Sequence, residues 1–107
     1  MGLFKKKYGK NVTRDNEFLK EYAIKVNGLQ MFVDNNQKVY DELEALKNDF
    51  QYTVASSSPD AKALEKKIKK DFETLATALQ QPEIAEAEVL VMIKVIRRNI
   101  VEISSIR

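Results

Sequence analysis

Apolar residues recur at helical spacing along three stretches of the chain. In the first, Leu19, Tyr22, Val26, Leu29 and Val33 advance by three and four residues, and Tyr40, Leu43, Phe50 and Val54 continue the same seven-residue pattern. Two members of that pattern are polar, Asn36 and Lys47. Phe18, Phe32, Val39 and Leu46 widen the stripe beyond a two-position seam, which suits a bundle better than a bare two-stranded coiled coil. The second stripe sets Ala61, Leu64, Ile68, Phe72, Leu75 and Leu79 on one face. The third is the most apolar: Val89, Met92, Ile93, Ile96, Ile100 and Ile103 share a face. Leu90, Val91, Val95, Val101 and Ile106 extend that face around much of the circumference, as in a helix buried on several sides. Its β-branched run VLVMIKVI has strand character, but the Ala-Glu entry and the length of the segment favour helix.

Two boundaries between the stripes are sharp. In ASSSPDA, Ser57 or Ser58 can cap a helix, with Pro59 at its first position and Asp60 in its first turn. Proline costs little there because that N–H has no helical partner, and the carboxylate suits the positive end of the dipole. In QQPEIAEAE, Pro82 disfavours helix at Gln81 and starts a new one, with Glu83 and Glu86 in its first turns. Residues 1–13, MGLFKKKYGKNVT, lack periodicity and read as a flexible basic arm, after which Thr13 or Asp15 can cap the first helix. The expected organisation is a single helical domain over 14–107, with helices over about 15–55, 59–80 and 83–106.

The stretch VNGLQMFVDNNQKVY, residues 26–40, is the soft place. A single helix from Asp15 to Ala55 would be roughly 60 Å long, against about 33–36 Å for each of the other two. Antiparallel packing would then leave Leu19, Tyr22, Val26, Leu29 and Val33 in water, forgoing roughly 1.5–3 kcal/mol each. One remedy is a turn near residues 34–36, giving a four-helix up-down-up-down bundle. Asp34 followed by Gln37 loosely resembles a capping box, and Gly28 is a second weak point in a helix. The other remedy is a long first helix, straight or kinked, in a three-helix antiparallel or coiled-coil-like arrangement, with a second subunit or partner covering its first half. An Asn in the seam would then set the register. The unbroken apolar phase from Val26 to Leu43 favours this second, all-α arrangement and makes Leu19, Tyr22, Val26, Leu29 and Val33 candidate interface residues. A long arm kinked at Pro82 ranks lower, because proline inside a helix costs about 3 kcal/mol.

Composition narrows the chemistry. The 107 residues include no Cys, no His and no Trp. Disulfides, thiolate ligands, imidazole bases and a Ser-His-Asp triad within the chain are thereby excluded. A Ser-Lys dyad remains conceivable on paper, but no flanking motif marks one. There is no phosphate-cradling glycine loop. The expectation is a non-enzymatic protein with no cofactor, no metal and no small-molecule substrate. Nothing in the sequence is apolar enough to span a membrane, and no apolar run follows the leading lysines as a signal peptide would require. The expected setting is cytoplasmic. Net charge is +2, with the basic excess confined to the first 16 residues. A near-neutral body argues against gripping nucleic acid as the main task.

Three charged features invite functional readings. Phe4, Lys5, Lys6, Lys7 and Lys10 could contact an anionic surface, each Lys adding about 1 kcal/mol near a membrane; a solvated tail explains them as well. Lys62, Lys66, Lys69 and Lys70 form a stripe on the second helix, but Glu65, Asp71 and Glu73 interleave with it, and Lys69 is spaced to pair with Glu73. Asp41, Glu42, Glu44 and Asp49 diverge around a helix instead of converging from a loop as cation ligands do. The leading expectation is therefore an interaction or scaffold protein that binds itself or another helical protein through apolar helix faces. A peripheral membrane module docked by the arm is the alternative, and a nucleic-acid accessory protein a distant third.

Overall fold

The computed structural model describes residues 17–53 and 58–106, and every regular element among them is a helix. Helix α1 occupies residues 17–30 of the described chain. Helix α2 is Gln37–Tyr52, α3 is Pro59–Leu79 and α4 is Glu86–Ser105. The strand reading of VLVMIKVI fails, since α4 runs through it. Among the described residues four helices, not three, make up the globule.

The first apolar stripe is thus two helices joined by residues 31–36. The end of α1 tightens: the N–H groups of Met31, Phe32 and Val33 donate to carbonyls three residues back, at 3.3, 3.0 and 3.2 Å. Asn36 then starts α2 with an extended backbone, and its side-chain oxygen accepts from the Val39 N–H at 3.2 Å. Asn36 is the cap, in place of Asp34; Gln37 donates to Asp41 at 2.7 Å. Val33 remains fully buried inside the turn. That burial is why the apolar phase crosses the break undisturbed and a continuous helix looked favourable.

The turn folds α2 back along α1. Phe18, near the start of α1, meets Phe50, near the end of α2, with ring centroids 6.3 Å apart. At the other end Gln30 Nε2 donates to Glu44 Oε1 at 3.0 Å. Phe72 of α3 joins the same aromatic cluster, its ring 5.0 Å from Tyr22 and 6.4 Å from Phe50. Such edge-to-face contacts add about 0.5–1.5 kcal/mol to simple burial. Leu19, Tyr22, Val26, Leu29 and Val33 all lie in this core. The chain covers them itself, so a second subunit is not needed for the purpose that the continuous-helix arrangement assigned to it.

Helix α3 begins as its sequence demands: Ser58 has an extended backbone, its hydroxyl accepts from the Ala61 N–H at 3.1 Å, and Pro59 follows at the first turn. The start of α4 differs from expectation. Helix resumes at Glu86 and not beside Pro82, with Ala85 in the cap position supplying no side-chain acceptor. Glu83 lies outside the helix, and Ile84 in the link packs against the core. Helix α4 lies against both α2 and α3, and Asn36 Nδ2 donates to Glu86 Oε2 at 3.1 Å, so α2 and α4 start at the same end. Its outer face stays open: Val91 and Val101 are 60% and 59% exposed. Two packed neighbours do not enclose α4 on all the sides that its composition suggested.

Candidate functional site

Helix α1 buries one face, while Ile24 on its other side and Met31 and Phe32 in the turn that follows form an apolar strip. Ile24, Met31 and Phe32 are 69%, 79% and 51% exposed, within nine residues of one another. The other large exposed apolar residues among those described, Tyr52, Val91 and Val101, are scattered over α2 and α4. Single exposed apolar residues are ordinary, whereas clustered ones mark contact surfaces. Gly28 stands between Ile24 and Phe32 at helical spacing. A Cβ placed on it would meet nothing within 4 Å, so the α1 backbone is bare there.

Beside this strip runs an open groove of about 490 Å³ between α1 and α3. Tyr22, Gly28 and Leu29 line it from α1, Phe32 from the turn after it, and Phe72 and Ala76 from α3. Each helix adds one charge of opposite sign, Lys25 from α1 and Glu73 from α3. Lys25 Nζ lies 4.8 Å from the centre of the Tyr22 ring and 3.4 Å from Glu21. Burial raises the Tyr22 pKa, with Lys25 acting against that shift. Two further hollows adjoin the turn after α1, the first of mixed and the second of polar character. One, of about 350 Å³, is lined by Asn27, Gln30, Met31, Asp34 and Tyr40, and the other, of about 410 Å³, chiefly by Asn35, Asn36, Gln80 and Gln81. Phe32 also borders the second of these, so the apolar strip reaches the end of the globule where the two helix links meet.

Several of the remaining sequence candidates are held by partners in their own chain. Arg97 of α4 bonds Asp49 at 2.7 Å and Glu42 at 3.4 Å, which ties α4 to α2 and raises the Arg97 pKa. Glu44 accepts from Gln30 and Lys47, and these bonds, Gln30 first, hold its carboxyl below the ordinary glutamate value. No group of three or more metal-ligating side chains gathers among the described residues. On α3, Lys67 pairs with Asp71 at 2.9 Å. Lys69 does not pair with Glu73 as its spacing suggested; its ammonium sits 5.4 Å from the centre of the Phe18 ring. Ser104 and Ser105 donate to the Val101 carbonyl. Phe4, Lys5, Lys6, Lys7 and Lys10 lie outside the described residues. No helix among those described is long and apolar enough to cross a membrane.

The groove was not legible in the sequence. Leu19, Tyr22, Val26, Leu29 and Val33 were the candidate contact residues, and their regular spacing marks a core face, where the structure puts them; Tyr22 and Leu29 also border the groove. The exposed strip consists of Ile24 and Met31, which lie off that spacing, Gly28, and Phe32, which the sequence placed on the widened apolar stripe and the structure leaves half exposed. No protein-family model, curated protein sequence or solved structure matches the chain.

Proposed function

We propose that the protein is a non-enzymatic interaction or scaffold module whose working surface is the outward face of α1 and α3. On this reading the helices alternate in direction as an up-down-up-down bundle, and a protein partner, a second copy included, lays a helix along the groove. The observation that carries it is half-exposed Phe32 on an open apolar groove at a bare glycine backbone, with Ile24 and Met31 exposed close by in the chain. Helix-in-groove recognition needs those parts: apolar side chains at helical spacing, and small residues that let a second backbone approach. Glu42, Glu44, Asp49 and Asp71 are engaged by contacts within the chain, and no group of three or more metal-ligating side chains gathers among the described residues.

The test is site-specific photocrosslinking in the source cell. A photoreactive residue at Ile24 should give a discrete adduct that disappears when Phe32→Glu is added, while the same residue at Lys38 on α2 gives none. Absence of any adduct from position 24, with circular dichroism showing an intact fold, would count against the proposal.

A further inference from the structure

We propose that the occupant of the α1/α3 groove is a second copy of this chain, docked groove to groove about a twofold axis that runs along the groove. The inference rests on the docking reading above and names its partner.

A symmetric dimer must be complementary to itself. The groove meets that condition through charge. Its walls carry opposite signs, Lys25 on α1 and Glu73 on α3. A twofold axis along the groove sets α1 against α3 of the other copy, so Lys25 faces the partner's Glu73 on both rims. An axis across the groove would set α1 on α1 and Lys25 on Lys25, which is repulsive. Glu73 makes no ion pair with the described residues of its own chain, and the Lys25–Glu21 pair is between exposed groups, so both charges can turn to a neighbour at little cost. Gly28 and Ala76, one on each wall, carry no bulk that would hold the copies apart. Phe32, half exposed at the end of the groove, gains cover from the facing pair of helices.

The area available sets the strength. Two adjacent helices present a face roughly 20 Å wide, and α1 is roughly 21 Å long, giving on the order of 400 Å² per copy. That is about half of what a standard stable interface buries on each side. The dimer is accordingly weak and concentration dependent, and it dissociates on dilution.

Sedimentation equilibrium of the full chain, from about 10 μM to about 1 mM, reads it directly. The average mass should climb towards that of two chains. Lys25→Glu and Glu73→Lys should each weaken association roughly tenfold, because attraction becomes repulsion on two rims. An equimolar mixture of the two single variants should associate better than either alone, since one copy then carries a carboxylate on both walls and the other an ammonium on both, and opposite charges meet on each rim. The double variant in one chain should recover association to within about threefold of the original. Circular dichroism of every variant confirms that the fold is kept. A mass that stays at one chain throughout, or association indifferent to the swaps, overturns the proposal. If the purified chain stays single while the cellular adduct at Ile24 persists at another mass, only the choice of occupant fails. If both are absent, the docking surface fails as well.

Discussion

The amide of Asn99 offers the sharpest single-residue test of the packing. Asn99 is 7% exposed, in the middle of α4, and its Nδ2 is buried with no hydrogen-bond partner. Ile96, Ile100 and Ile103, its neighbours on that face, are all buried. A donor removed from water and left unbonded costs about 1–3 kcal/mol. Leucine has the same branching and number of side-chain heavy atoms, carries no polar group and has a higher helix propensity by a few tenths of a kcal/mol. Its methyl groups are larger than the amide atoms they replace, and crowding offsets part of the gain. The net expectation for Asn99→Leu is a stabilisation of about 1–2 kcal/mol. Urea unfolding followed by far-UV circular dichroism should show the midpoint rising by roughly 1 M with an unchanged slope. Asn99→Asp, which buries a charge in the same place, should lower the midpoint sharply. A lower midpoint for Asn99→Leu would mean that the amide is bonded in solution and that the face of α4 has been misplaced.

Other consequences follow from single contacts. Gly28→Ala should raise stability by about 0.5–1 kcal/mol in a thermal melt, because the helix gains propensity and the new Cβ meets nothing within 4 Å. Asn36→Ala removes the acceptor for the Val39 N–H and the bond to Glu86, and should cost about 1–2 kcal/mol by chemical denaturation. Glu44 is held below its ordinary pKa chiefly by Gln30, so this contribution is present above the unfolded glutamate range and is lost as pH falls through the lower folded value. Gln30→Met removes the first cause; the wild-type advantage in unfolding free energy should therefore be smaller near pH 3 than near pH 7.

Much of the helical content was legible because its signals are local. Ser58-Pro59-Asp60 announces α3 through capping chemistry that any helix start requires, and the 3-and-4 spacing of Ile68, Phe72, Leu75 and Leu79 names its buried face. The break after α1 was harder to read. The six residues of the turn keep Val33 in the core and hand the phase on to Val39 and Leu43, so periodicity records burial on both sides without recording that the chain reversed. Length carried the missing information: a rod of roughly 60 Å has no neighbours long enough to cover it, and folding back resolves that mismatch. The start of α4 was misplaced because Pro82 marks where helix can resume, whereas Ile84 is drawn to the core before it does. The groove was invisible because it depends on which helices lie side by side, and Gly28, read as a helix weakness, gains meaning only beside Phe72 and Ala76.

The central claim is that α2 folds back along α1 and covers Leu19 to Val33 from within the chain. Because the sequence has no cysteine, Lys20→Cys and Gln51→Cys can be spin-labelled cleanly, and both positions are exposed. The labelled chain is diluted into unlabelled chain so that the distance measured is within one molecule. Pulsed electron–electron resonance should then give a distance of about 20 Å, two helix axes roughly 8–10 Å apart plus the label arms. A continuous helix would put the same two positions roughly 46 Å apart, and a peak there would contradict the fold described.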